Sequence, residues 1–283
     1  MAARQGRTTH KSKSNRGLRL AATPFDSVSP MGTTPEFTPT TCYENWGILI
    51  VSNLVEAISF DAAGTLLFPK PSVGVIYQKV LAAHELVLDC HQLEQAFQAS
   101  FKKVKKDPSI PEPEIRERAY WKTVVAESIL RLTSLPNNFE TVFAALWQEF
   151  AKGSRWRLNE GVFDLFDFLD SRGTPFVLLT NWDARVRSVL IDHGLQDRFS
   201  YLFISCEIGF EKPDRGIFDF AASSLSIKPR NILHVGDHYN QDVLGARNAG
   251  WMAAHFACAN ESTTEDANTV SRLGELCDRF EFA

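Results

Sequence analysis

From about residue 57 the chain alternates short apolar runs with longer stretches in which apolar residues recur every three or four positions. The runs have the length and composition of buried strands, and the longer stretches have the period of amphipathic helices. Their alternation predicts an α/β fold, a Rossmann-like parallel sheet assembled from right-handed β-α-β units. Five strands are expected: AISFD (57–61), PFVLLTN (175–181), YLFIS (201–205), NILHVGD (231–237) and MAAHF (252–256). Asp61, Thr180 with Asn181, and Asp237 close three of them. Ligands of open parallel sheets bind at the carboxyl ends of strands, so these polar ends are expected to meet in one crevice.

Between the first two strands the sequence carries helical periodicity and no strand signal, with segments at 72–88, 90–106, 112–132 and 138–150. Val73, Ile76, Tyr77, Val80 and Leu81 show the spacing, and DPSIPEP (107–113) and SLPNN (134–138) supply the breaks. This predicts a helical bundle, residues 72–156, inserted as a cap into a core formed by 54–71 and 157–283. A further helix over 161–173 returns the chain to the sheet, with Gly173 placed to end it in a left-handed conformation.

The first forty residues differ in kind. Arg4, Arg7, Lys11, Lys13, Arg16 and Arg19 precede the first acid, Asp26, among many Ser, Thr and Pro residues. Such a segment has too little apolar surface to fold, so residues 1–53 are expected to be a poorly structured extension. An Arg-rich, acid-poor start also fits an organellar transit peptide; a plain tail or an over-long start is the alternative. Otherwise a cytoplasmic location is expected. The net charge of -4 supplies no field for nucleic acid, and the longest apolar run, 47–55, is too short to cross a bilayer. The five cysteines are scattered without a C-x-x-C pair, which argues for reduced thiols rather than disulfides or a zinc site.

Four polar clusters lie at strand ends or helix starts. FDAAGTLL (60–67) offers an acid and a Gly-Thr turn whose backbone N–H groups can face an anion. LLTN (178–181) adds a hydroxyl and an amide. EKPD (211–214) places Lys212 before a helix whose first turn is expected to start at Pro213, and GDHYNQD (236–242) adds two carboxylates. Singly, each is as well read as a turn, a strand end or a solvated lysine. In this order they resemble the four motifs of the haloacid dehalogenase (HAD) superfamily, over residues 57–259. The helical insert resembles the cap of one branch of that family, and the chain is similar there to the haloacid dehalogenase-like hydrolase domain-containing protein 3 group.

The resemblance implies a Mg²⁺-dependent hydrolase acting on a small phosphorylated molecule through an aspartyl-phosphate. Asp61 is the implied nucleophile. Asp61, the Ala63 carbonyl, Asp237 and Asp242 form the implied metal environment, with Asp242 holding Lys212 or a metal-bound water. Thr180, Asn181 and Lys212 are implied to hold the transferring oxygens. The charge count agrees, because three carboxylates against one lysine leave about -2 where an anionic substrate must bind, which a divalent cation cancels. No nucleic-acid or membrane partner is implied, and the protein is expected to be a monomer or homodimer.

One position departs from the pattern. Phosphatases of the superfamily carry a second Asp two residues after the nucleophile as general acid and base, and here Ala63 stands there. Loss of such a group typically costs about 10²- to 10⁴-fold in rate. Three readings stay open: a phosphatase-like hydrolase using good leaving groups or another acid, a dehalogenase- or phosphonatase-like hydrolase, and a binding or regulatory protein on the same scaffold. Among the remaining residues, His238 reads as an exposed loop residue, the KKVKK run (102–106) as a solvated helix face, and Trp121, Trp147 and Trp156 as core of the insert, one of which can line a pocket.

Overall fold

The computed structural model describes residues 54–257 and 268–283. The described chain opens on β1 (Leu54–Val55) and β2 (Ala57–Phe60). Successive residues of a strand face opposite sides of a sheet. Ile58 and Phe60 therefore join the apolar cluster on one face of the sheet, and Ala57 the cluster on the other. After a tight loop and β3 (Leu67–Pro69) come four helices, α1 (Val73–Ala83), α2 (Cys90–Lys103), α3 (Pro113–Leu130) and α4 (Phe139–Glu149). Ser72 caps α1 by accepting from the Val75 N–H, and Asp89 caps α2 by accepting from His91 and Gln92. The helices share an apolar cluster of their own, built around Ile76, Leu81, Leu93, Val125, Ile129 and Phe143. Helix α1 stops at Ala83, short of the limit suggested by periodicity, because Glu85 adopts a φ of 65°.

The exit strand β4 (Trp156–Leu158) pairs antiparallel with β3, so the two ends of the insert are joined by a ladder. Helix α5 (Val162–Arg172) then ends on Gly173 at φ 72°, whose N–H bonds back to Asp170 and Leu169 as expected. The rest runs β5 (Phe176–Thr180), α6 (Arg185–Asp192), β6 (Tyr201–Ile204), α7 (Ser205–Ile208), α8 (Arg215–Leu225), β7 (Ile232–Gly236), α9 (Gly245–Asn248), β8 (Met252–Phe256), β9 (Thr269–Val270), α10 (Leu276–Arg279) and β10 (Glu281–Phe282). One helix start differs from expectation. Helix α8 begins at Arg215 rather than at Pro213, because Asp214 accepts the Gly216 N–H at 2.7 Å and serves as its cap.

The main sheet is parallel throughout, in the order β6-β5-β2-β7-β8-β9. It contains the five expected strands plus β9. The chain leaves β2 to one side through β5 and β6 and returns to the other side with β7 and β8. The carboxyl end of β2 is therefore a topological switch point, where neighbouring connections diverge and open a crevice. The strands missed by pattern, β1, β3, β4, β9 and β10, have two or three residues each, too few to show a period. The expected extension over residues 1–53, Cys42 and Cys258 lie outside the described residues. Among the described residues no helix is long and apolar enough to cross a membrane.

Candidate active site

Asp61 follows β2, with its N–H bonded to the Val235 carbonyl of β7 at 2.9 Å. The loop beyond it folds onto itself through bonds from Leu66 and Leu67 to the Ala62 carbonyl. Among the described residues the N–H groups of Ala62 and Ala63 take no acceptor, so two donors stay available beside the Asp61 carboxylate. Gly64 closes the loop at φ 93°, and a Cβ there would collide with the Asp237 carboxylate. Only glycine combines that conformation with that approach. Thr65 donates to Asp237 Oδ1 at 3.3 Å and ties the loop to the end of β7.

Lys212 is 2% exposed, donates to Asp61 Oδ1 at 2.7 Å and the Leu179 carbonyl at 2.9 Å, and forms an ion pair with Asp242 Oδ1 at 2.6 Å. The ammonium is thus held between two carboxylates and a carbonyl. Among the described residues Asp61 Oδ2 has no partner.

Both oxygens of Asp242 are taken, Oδ1 by Lys212 and His234 and Oδ2 by the His238 N–H at 2.8 Å. Asp242 lies in a π-helical turn, Tyr239–Leu244, and its own N–H bonds to the His238 carbonyl at 2.8 Å. Of the two roles implied for Asp242, the geometry matches the holding of Lys212.

Behind Asp242 lies His234, an inward residue of β7 that pattern reading missed. Its Nε2 faces Asp242 at 3.2 Å and its Nδ1 faces the Ser59 hydroxyl at 3.0 Å. A carboxylate can only accept, so Nε2 carries the proton and Nδ1 accepts from Ser59. Burial, and next the Lys212 charge, lower the His234 pKa and keep it neutral. The signal for it was a lone histidine inside an otherwise apolar strand.

Thr180 and Asn181 differ from each other. Asn181 is engaged on both ends, accepting the Lys212 N–H at 2.7 Å and donating to the Lys212 carbonyl at 2.8 Å and Gln241 at 3.2 Å. It fixes the Lys212 loop. The Thr180 hydroxyl lines the crevice and has no hydrogen-bond partner among the described residues.

Carboxylate oxygens of Asp61, Asp237 and Asp242 lie within 4.8 Å of one another. Burial raises Asp61, although Lys212 opposes it. Burial also works to raise Asp242, but Lys212 and His234 more than offset this and hold its carboxyl below the ordinary range. Burial and then the Asp61 and Asp242 charges push Asp237 up to about 8. A carboxylate that resists ionisation beside two others is short of a cation. The residues therefore fit a hard divalent ion bound through oxygen, since one oxygen from each aspartate lies close to the others.

A sequence profile of haloacid dehalogenase-like hydrolases matches residues 55–250. The chain belongs to this family. Haloacid dehalogenase-like hydrolase domain-containing protein 3 of Mus musculus is 27% identical over 199 residues, covering 68% of this hydrolase and 78% of the mouse protein. Phosphoserine phosphatase of Thermus thermophilus is 34% identical over 110 residues, covering 38% of this hydrolase and 44% of that enzyme. Among solved structures, the HAD-hydrolase YfnB from Bacillus subtilis, bound to magnesium, superposes with a TM-score of 0.63 at 17% identity, covering 80% of this chain and 98% of that one. That likeness is one of fold.

In this hydrolase the four helices of the insert and the crevice enclose a cavity of about 840 Å³ that runs from Asp61 and Asp237 to an aromatic wall. Trp121, Trp147 and Trp156 all line it, as does the exposed His238. The KKVKK run does not continue α2, which ends at Lys103. Lys106 instead reaches Glu117 of α3 and Glu211, the residue before Lys212. Arg185, another residue that sequence reading missed, is held by Asp183 in two bonds at 2.8 and 2.7 Å and covers the Trp147 ring at 3.4 Å. The D-x-R spacing was its only signal.

Proposed function

We propose that this hydrolase is a Mg²⁺-dependent phosphatase of small molecules that works through an aspartyl-phosphate on Asp61, with the four helices as a cap over the site. The observation that carries this reading is the state of Asp61. One of its oxygens is fixed by a buried lysine, and among the described residues the other has no partner, in a cavity that Ala63 and Thr180 also line with an N–H and a hydroxyl that take no partner there. Mg²⁺ would be held by Asp61, Asp237 and the Ala63 carbonyl, and supplies the positive charge that lets a phosphate dianion approach three acids.

The chain's own residues do the rest. Lys212, held by Asp242, orients Asp61 and favours its ionised form against the effect of burial, while Thr180 and the loop N–H groups donate to the transferring oxygens as their charge develops. Asp61 Oδ2 attacks phosphorus, and water then cleaves the acyl-phosphate and restores the carboxylate. The similarity to a phosphoserine phosphatase supports phosphoryl chemistry for the core. A substrate panel with and without Mg²⁺ tests the reading. Turnover of phosphate esters only with Mg²⁺ is expected; turnover of a 2-haloacid without metal, or none of any substrate, overturns it.

A further inference from the structure

We infer that the substrate is the phosphate monoester of an aromatic hydroxyl, with its ring held in the aromatic wall of the cavity. This rests on the phosphatase reading, and two independent features lead to it.

The first is the wall itself. Phe97 stacks on Phe101 at 5.7 Å between ring centroids, Phe101 on Trp121 at 5.8 Å, and Tyr77 meets Phe97 edge-on at 5.9 Å. These rings come from α1, α2 and α3 and face a space they do not fill. Packed interiors leave few voids beyond the size of a water molecule, so rings around 840 Å³ are a lining rather than a finished core. Tyr77 makes the same point differently. It is 2% exposed and lines the space, and its hydroxyl has no hydrogen-bond partner among the described residues. A donor left open at the cavity wall is one that a ligand can engage.

The wall also offers little to a second anionic group. Arg185 is committed to Asp183 and Trp147, and Lys106 is shared by Glu117 and Glu211. Lys102 and Lys105 remain, both at the exposed rim. A ring fits these walls better than an amino acid or hydroxy acid does.

The second feature is Ala63. Without a general acid there, the leaving oxygen departs with its electron pair unprotonated. Glu117 and Glu211, the other carboxyls in the wall, are both tied to Lys106. An aromatic hydroxyl has a pKa of about 10, against about 16 for water as a guide to alkyl hydroxyls, so its anion leaves far more readily. Asp61 Oδ2 forms the new bond to phosphorus while the bond from phosphorus to the ring oxygen breaks, and the phenolate takes a proton from water. Water next attacks phosphorus, the bond to Asp61 breaks with its pair returning to the carboxylate, and inorganic phosphate and the phenol are released.

The test is kcat/KM at saturating Mg²⁺ for 1-naphthyl phosphate, benzyl phosphate, phosphoserine and acetyl phosphate, the last being a ringless acyl phosphate (a mixed anhydride) with a good leaving group. Naphthyl phosphate is expected to exceed phosphoserine by about 100-fold or more. Benzyl phosphate has a ring but a poor leaving group, and should show a low KM with a low kcat. Trp121→Ala and the more exposed Phe101→Ala should each lower kcat/KM for naphthyl phosphate about tenfold more than for acetyl phosphate, with Trp121→Phe restoring most of it. Should acetyl phosphate and phosphoserine be turned over as well as naphthyl phosphate, the inference fails while the phosphatase reading stands. It also fails if the wall variants affect both substrates equally. No Mg²⁺-dependent turnover of any of these phosphates, acetyl phosphate included, removes the phosphatase reading and this inference with it.

Discussion

Lys212 donates to Asp61 and the Leu179 carbonyl and pairs with Asp242, so the site contains one buried cation compensated by two carboxylates of unequal freedom. Removing a partner from such a network leaves charge buried without compensation. Asp242→Ala is therefore expected to lower stability by about 3–5 kcal/mol, read from urea unfolding, as well as to abolish activity. Asp61→Asn should remove turnover with an unchanged circular dichroism spectrum, because the amide keeps the shape and is no useful nucleophile; wild-type rates in that variant would refute the assignment. Ala63→Asp should place a carboxyl next to the leaving oxygen, where Asp61 favours its protonated form. The gain in kcat/KM should be large for an alkyl phosphate and small for nitrophenyl phosphate, which leaves without help; equal effects would show that position 63 does not limit the reaction.

At the level of elements, the loop between β2 and β3 does more than join them. Gly64 sits at φ 93° with Asp237 packed against it, so this turn and the end of β7 are shaped together. In Gly64→Ala a left-handed side chain costs about 1–2 kcal/mol, and the new Cβ displaces the Asp237 carboxylate. The Mg²⁺ concentration for half-maximal activity should rise well beyond what the modest fall in melting temperature suggests, and a magnesium titration of both proteins checks this. The β3–β4 ladder fixes the base of the insert, and the Lys106 contacts to Glu117 and Glu211 tie it to the loop that carries Lys212.

For the whole molecule, the acid cluster makes stability depend on pH and on metal together. Asp237 ionises near 3.8 when unfolded and near 8 in the metal-free fold, so the folded state binds more protons between these values. Stability of the metal-free protein should then fall as pH rises from about 4 to about 8. On the proposed reading Mg²⁺ would replace the proton as the compensating charge and bind only the folded state, so it should raise the melting temperature most near pH 8 and flatten the profile. Thermal melts across pH with Mg²⁺ and with EDTA decide this; parallel profiles would mean that Asp237 is no ligand.

The sequence by itself determined the strands that carry Asp61, Thr180 and Asp237 and the helices between them, because an apolar period and a polar strand end are local properties of the chain. The motif order placed Lys212 and Asp242 in the same site, since parallel β-α-β units bring strand ends to one edge. Pairing was not local. Short strands such as β3 and β4 exist only because distant residues meet, so no period announces them. The engagement of Asn181 with the Lys212 loop, the burial of His234 behind Asp242 and the splitting of three aspartates into a lysine holder, a lysine-bound carboxylate and an acid that resists ionisation depend on distances of a few ångströms between residues far apart in the chain. The aromatic residues of the insert read as core because helical spacing reports which face is apolar, and only the tertiary structure decides whether that face meets another helix or an open cavity.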